Sequence, residues 1–380
     1  MTKTPLKGLK VLELARVLAG PWIGQTLADL GADVIKVESP AGDDTRRWGP
    51  PWVEQDGDRS AAYYHACNRG KRSIVADFRT DEGKNIVKRL AAQSDVLVEN
   101  FKHGGLAKYG LDYASIRTLN PRLVYCSVTG FGQTGPYADL AGYDFIIQGM
   151  SGLMDITGEA DGAPQKVGVA IADLLTGLYG VIGIQAALAA RGETGEGQHI
   201  DMALMDCMTG VLANQAMNYL VSGESPKRMG AAHPNIVPYQ AFPVNDGYLI
   251  IAVGNDGQFQ RLVDLLDLDD ARNEKFATNS GRIEHRDTLV PLIAEKTRLW
   301  RRDELLQACE KHTVPAGPIN TMADVFNDPQ TIAREMAILV DGIPGVRTPI
   351  SFSDHGLALD RRAPRLDEHR AEILASIGLT

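Results

Sequence analysis

The strongest constraint on this chain is a repeated alternation of strand and helix patterns through its first 130 residues. Residues 9–14 (Leu-Lys-Val-Leu-Glu-Leu) read as a short apolar strand, 21–30 as a helix with Pro21 in its first turn, and 33–38 as a second strand. A second unit follows, with a strand at 73–78, an amphipathic helix at 82–93 and a strand at 95–99. Another helical stretch then leads to a strand at 123–128. Consecutive β-α-β units imply an α/β, Rossmann-like fold on a parallel, doubly wound sheet.

At 380 residues the chain exceeds what one core usually serves, so a second, smaller α/β domain is expected. Its boundary is read from composition. Residues 1–221 form the first part of the large domain, which includes a long small-residue helix (172–190), a strand (199–203) and a helix (207–220). Gly, Ser, Pro and Lys mark 222–238 as a linker. Residues 239–325 supply the small domain, with a strand at 248–253 and helices at 258–266 and 303–311. Residues 326–380 return to the large domain through a strand-like 350–352 and a helix at 367–377. Gly177, Gly180 and Gly183 recur every third position in the long helix. Each costs about 1 kcal/mol against alanine, which predicts close packing against another backbone.

Function classes narrow next. A net charge of −9 argues against nucleic acid as a partner. No apolar run is read as crossing a bilayer, and residues 1–10 lack the hydrophobic stretch of a signal peptide. Cys67, Cys126, Cys207 and Cys309 lie far apart, and the histidines show no metal-ligand spacing. This predicts neither disulfides nor a metal and fits a reducing, cytoplasmic setting. Between Arg69 and Lys108, nine Lys/Arg face five acids. They read either as solvated helix faces or as a shallow site for a phosphorylated ligand.

Gly130-Phe131-Gly132-Gln133-Thr134-Gly135 matches a dinucleotide fingerprint, but Pro136 follows at once and no βαβ unit encloses it, so a nicotinamide cofactor is not expected. Asp173 opens the long helix and has two readings. It is a helix cap, or it is a carboxylate that backbone N–H groups and the helix dipole keep ionised as a nucleophile. Arg46 and Arg47 are candidates for a bidentate grip on a substrate carboxylate. His233 lies in the linker, where a structural role and a catalytic one are both open.

Several stretches then carry a resemblance: residues 16–21 (Arg-Val-Leu-Ala-Gly-Pro), 31–38 (Gly-Ala-Asp-Val-Ile-Lys-Val-Glu), 68–74 (Asn-Arg-Gly-Lys-Arg-Ser-Ile) and 98–101 (Val-Glu-Asn-Phe). With 130–136, the Asp173 turn, 195–198 and 363–369, they resemble the class III CoA-transferases, in order along nearly the whole chain. Asp367 stands where that family commonly has glycine. The resemblance implies a homodimer of interlocked subunits that uses coenzyme A thioesters and small carboxylic acids as substrates, with no resident cofactor. It makes Asp173 the nucleophile, through an aspartyl-acyl anhydride and an aspartyl-CoA thioester. It places CoA against Arg16, Arg79, Asn100, Phe101 and Lys108, with Leu18, Ser39 and Thr129 departing from formyl-CoA transferase. Residues 43–51, 231–233, 236–242 and 314–320 look closest to members acting on dicarboxylates. That implies succinyl-CoA as donor, glutarate or hydroxymethylglutarate as acceptor, and Arg46, His233 and Tyr143 near the substrate carboxylate. The rival on the same fold is a 2-methylacyl-CoA racemase. Racemases carry a histidine where Tyr143 stands, and a phenol of ordinary pKa about 10 is a poor base, so transfer is favoured.

Overall fold

The computed structural model describes residues 3–55 and 57–379. The chain divides into two compact units. One comprises the chain up to Leu153, Lys166–Glu224 and everything from Pro329 onward; the other comprises Met154–Gln165 and Ser225–Asp328.

The first unit is built on six parallel strands: β1 (Lys10–Glu13), β2 (Asp33–Glu38), β3 (Arg72–Val75), β4 (Val96–Glu99), β5 (Val124–Thr129) and β6 (His199–Ala203). Their order is β3-β2-β1-β4-β5-β6. Chain direction across the sheet reverses between β1 and β4, the switch point at which open α/β sheets bind ligands. Alternation along each strand supplies two cores. Val11, Val34, Val96, Val98, Cys126 and Val128 pack on one face with helices α1 (Ala19–Asp29) and α4 (Ile171–Thr194). Leu12, Val37, Ile74, Leu97 and Tyr125 pack on the other with α2 (Asp81–Gln93) and the terminal helix Arg370–Ser376.

Gly177 and Gly180 of α4 pack closely as their spacing predicts, whereas a Cβ on Gly183 would make only ordinary contact with Ile200, at 3.4 Å. A Cβ on Gly177 would lie 3.0 Å from the Ala19 carbonyl oxygen, and one on Gly180 would overlap Ile23, so α4 and α1 approach closely. By length and composition α4 could cross a membrane, which corrects the reading that no run is long enough. Here it forms one wall of a folded core, although Leu178, Tyr179 and Ile182 stay exposed.

The second unit has an antiparallel sheet of β7 (Tyr239–Val244), β8 (Gly247–Ala252) and β9 (Ala316–Pro318), with β8 central. Phe242, Leu249, Ile251, Phe259, Leu262, Leu289 and Leu305 fill its core. Residues 154–165, assigned above to the large domain, belong to this unit. Gly230 N–H donates to the Gly158 carbonyl at 2.9 Å, and Arg228 meets Asp155 at 3.2 Å.

Two local expectations need correction. The helix expected over 207–220 is two helices, Leu204–Gly210 and Ala213–Ser222, because Ala213 adopts φ 46°. Residues 350–352 form no strand. The pairing in that part is a hairpin of Ala337–Val340 with Ile343–Val346, turned by Asp341 and Gly342 at φ 50° and 78°. Asp-Gly is the pair that a two-residue turn with positive φ at both positions favours.

Candidate active site

The carboxyl ends of β1 and β4 collect most of the residues expected to hold CoA. Arg16 and Val17 leave β1 directly into α1. Arg16 N–H donates to Asn100 Oδ1 at 2.9 Å, and Asn100 Nδ2 returns a bond to the Arg16 carbonyl at 2.6 Å. Asn100 therefore clamps the two strand ends together across the switch point. Val17 sits at φ 71°, a region unfavourable for a β-branched residue, and its N–H points at the Asp43 carboxylate at 3.3 Å. Phe101 meets Phe78 edge-on at 5.5 Å, and Phe78 meets Tyr109 at 5.2 Å. That cluster draws Arg79 and Lys108, the chain neighbours of Phe78 and Tyr109, toward Asn100 and Phe101. Lys108 Nζ rests 4.9 Å from the Tyr109 ring centre and meets no carboxylate among the described residues. Arg79 instead forks onto Asp77, through Nε at 2.8 Å and Nη2 at 2.7 Å.

The basic stretch from Arg69 to Lys108 is thus of two kinds. Arg69, Lys71 and Arg72 are buried, paired with Asp29, Glu13 and Asp33 respectively. They belong to the scaffold, and neither reading of the stretch foresaw this. Of the remainder, Arg79 is exposed but already forked onto Asp77, while the exposed Lys102 and Lys108 meet no carboxylate among the described residues.

Asp173 occupies the third position of α4, on its way past the sheet. The cap is Ala170, which uses no side chain, so Asp173 is not the helix cap. That task falls to Asp144, the first residue of α3 (Asp144–Met150): its Oδ1 accepts the Ala172 N–H at 2.8 Å. Its Oδ2 accepts from Gln148 Nε2 at 2.8 Å, and Gln148 Oε1 accepts the Val167 N–H at 2.9 Å. Asp144 and Gln148 therefore brace the whole turn that delivers Asp173. The expectation that helix N–H groups keep Asp173 ionised is also corrected. Ala172 N–H is engaged by Asp144 and Ile171 N–H by the Val169 carbonyl. Burial, with the Asp144 charge adding to it, pushes the Asp173 carboxyl up to about 7. The Tyr63 phenol is pushed up to about 12 by burial and by the Asp173 charge, so it faces the same acidic locus. Tyr63 packs edge-on against Trp48 at 5.4 Å.

The three residues expected at the substrate carboxylate fare differently. Arg46 is only 9% exposed, and its guanidinium is spent. Nε and Nη2 clasp Glu38 at 2.8 and 2.7 Å, and Nη2 also reaches the Tyr64 hydroxyl at 2.6 Å and the Pro364 carbonyl at 3.1 Å. Its fork already holds a carboxylate of the protein, which removes it as a substrate ligand. Tyr143 is the cap residue of α3, immediately before Asp144, and is 68% exposed. His233 lies in the second unit, half-buried, with Nδ1 accepting the Asn235 N–H at 3.0 Å and its ring against Tyr239. The acceptor role at Nδ1 places the proton of the neutral ring on Nε2.

Asp144 and Gln148 escaped the sequence reading. Their partners lie about twenty to thirty positions onward, and no local pattern links a short helix to a turn that distant. The glycine fingerprint finds its explanation here too. A Cβ on Gly130 would overlap the Gly142 backbone, so these two loops cross in contact just before Tyr143 and Asp144.

The profile of CoA-transferase family III matches residues 6–370. The chain belongs to this family. It is 59% identical over 384 residues to a succinate–glutarate CoA-transferase of Agrobacterium fabrum, covering 99% of this chain and 96% of the relative. It is 41% identical over 382 residues to human succinyl-CoA:glutarate CoA-transferase, covering 98% of this chain and 86% of that one. Among solved structures, a CaiB/BaiF family protein from Brucella suis superposes with a TM-score of 0.91 at 66% identity, over 99% of this chain and all of that one (100%). As a family III CoA-transferase, the chain acts on acyl-CoA and carboxylic acid substrates. Asp367, the departure from the family's glycine, takes φ 61°, a backbone shape that glycine adopts without cost. Its carboxylate compensates by accepting the Val75 N–H at 2.7 Å.

Proposed function

We propose that this enzyme transfers CoA from succinyl-CoA to glutarate, with Asp173 as covalent nucleophile. The substrate pair rests on one observation: 59% identity along the full length to a protein named for that exchange. The role of Asp173 is supported by its setting, a half-buried carboxylate on a braced helix start with no cation among its electrostatic partners.

In this reading the Asp173 carboxylate attacks the succinyl thioester carbonyl and expels CoA thiolate, leaving a mixed anhydride. The thiolate then attacks the aspartyl carbonyl of that anhydride, which frees succinate and forms an aspartyl-CoA thioester. A glutarate carboxylate attacks this thioester and again expels the thiolate. Attack of the thiolate on the glutaryl carbonyl gives glutaryl-CoA and restores the carboxylate. No net proton is consumed, and each step exchanges one acyl bond for another. Burial around Asp173 slows hydrolysis of the anhydrides.

CoA would lie along Arg16, Asn100 and Phe101 with Arg79 and Lys108 at the rim. The same reading includes a homodimer, in which a second subunit covers the exposed Leu178, Tyr179 and Ile182 of α4 and Phe145 and Ile146 of α3. All four cysteines are free and buried, in keeping with a reducing, cytoplasmic setting.

The test is incubation with succinyl-CoA and glutarate, followed by mass analysis of the thioesters and of the protein after hydroxylamine. Glutaryl-CoA should form, and the Asp173 peptide should carry a hydroxamate that Asp173→Ala lacks. Exchange with no modified Asp173 peptide would sink the covalent role, and no glutaryl-CoA would sink the substrate pair.

A further inference from the structure

Across β4, β5 and β6, on the sheet face away from α4, the polar side chains of Glu99, Ser127 and His199 lie in a row beneath the proposed CoA wall. Glu99 ends β4 and is 5% exposed, and Ser127 lies opposite it on β5 at 3%. Glu99 Oε2 accepts the Phe101 N–H at 2.8 Å. Ser127 stands beside the same carboxyl group, and its Oγ lies 2.9 Å from His199 Nε2. The imidazole is fixed in turn by stacking on Tyr113, with ring centres 4.9 Å apart and planes 18° apart. An apolar residue would serve packing here at less cost than a buried carboxyl. What this carboxyl does is fix the backbone between Asn100, the clamp on Arg16, and Phe101.

We propose that Glu99, braced by Ser127 and His199, is a positioning residue that holds the Asn100–Phe101 wall in its CoA-binding shape and so sets the affinity for the thioester substrate. The proposal rests on the reading above that this wall receives CoA. Glu99 acts through the Phe101 backbone and does not touch the ligand. The titratable groups that share its face are Asp201 and His199 of β6 and Tyr125 of β5, with Cys126 of β5 close by on the opposite face. No cation is among them, and burial raises the Glu99 carboxyl to about 7. Only the ionised form offers its full strength to the Phe101 N–H. Grip on the thioester should therefore weaken as pH falls through neutrality.

The experiment measures kcat and the KM for succinyl-CoA from pH 6 to 8.5 in the full-length enzyme, with Glu99→Gln and Ser127→Ala beside the parent. At pH 8 Glu99→Gln should raise KM by about tenfold, the worth of one charge-assisted bond, and change kcat by less than about twofold. The parent KM should climb below pH 7 while that of Glu99→Gln stays flat. Ser127→Ala, which keeps the carboxyl and removes the brace, should show a smaller rise in KM, and it carries the test should Glu99→Gln fail to fold. A KM unmoved in both variants, or a fall in kcat and melting temperature with KM unchanged, overturns the proposal. Asn100→Ala and Phe101→Ala separate the two layers. If they raise KM while Glu99→Gln and Ser127→Ala do not, only the positioning role fails; if they leave it unchanged, the CoA wall itself has been misplaced.

Discussion

Two groups of buried charge stand in the first unit and behave in opposite ways. Beneath α1, Glu13 and Lys71 (both 0% exposed) and Lys36 (1%) form a closed ionic cluster. Lys36 Nζ lies 3.0 Å from both Glu13 and Asp43, and Lys71 Nζ lies 2.8 Å from Glu13 and 2.9 Å from Asn68 Oδ1. Burial alone would strip Lys36 of its proton, but Glu13, Asp43 and Glu38 together hold it charged above the usual lysine range. Burial likewise opposes ionisation of Asp43, yet Lys36 and Thr45 bring it down to about 2. At the start of α4 the pairing is acid with acid: Asp173 beside Asp144, with no cation among the electrostatic partners of Asp173. The first group shows how this fold buries charge for architecture. The second shows a carboxylate left uncompensated, which is the condition of a reactive one.

The largest effect separating the two should come from Asp173→Asn. On the proposed covalent role, this should lower kcat by about 10⁴-fold or more. Stability should move the other way. A carboxyl raised in the folded state favours folding below its unfolded value of 3.8, and that benefit is lost as pH rises through about 7. The melting temperature of Asp173→Asn should therefore exceed that of the parent at pH 8 by more than at pH 4.5. Equal differences at both pH values would show that Asp173 is not held uncompensated.

Glu13→Gln attacks the opposite member of the comparison. It leaves Lys36 on Asp43 but strips Lys71 of the one carboxylate that it meets at ion-pair distance among the described residues, in a fully buried site. The cost should be about 3–5 kcal/mol, read as a lower urea midpoint. Succinyl-CoA KM in the folded fraction should hardly change. A substitution that shifted KM and spared the midpoint would mean that this cluster belongs to the site and not to the scaffold.

The contrast also explains what could be read from sequence. Strand and helix periods are local, so β2 and β6 fall on the expected residues 33–38 and 199–203, and the switch point follows from their order. The glycine spacing in α4 was legible because three small residues on one helix face have few uses. Partners of buried charges are not local. Arg46 and Arg47 look alike in sequence, yet Arg46 is buried on Glu38 while Arg47 lies exposed beside Asp44 at 3.1 Å. The signal for Arg46 was Glu38 itself, an acid at the end of a buried strand that needs a cation. Asp341-Gly342, flanked by apolar runs, carries a local signal for a hairpin turn. The role of Asp173 came from resemblance along the chain; its elevated carboxyl came only from the fold.

Asp144 is where the comparison can be tuned with the least disturbance. Asp144→Asn keeps an oxygen that can accept the Ala172 N–H, so the helix start should stay capped, while the like charge beside Asp173 disappears. Burial is the larger cause of the Asp173 shift and remains, so the carboxyl should come down only part of the way toward 3.8. A nucleophile must be ionised to attack, so the acid limb of kcat/KM should lie near pH 7 in the parent. In Asp144→Asn it should move to lower pH by about half a unit to one unit, with the plateau above pH 8 nearly unchanged. A limb that stays in place would mean that Asp144 serves only as a cap. A limb that moves up would mean that its charge helps to hold a proton elsewhere in the site.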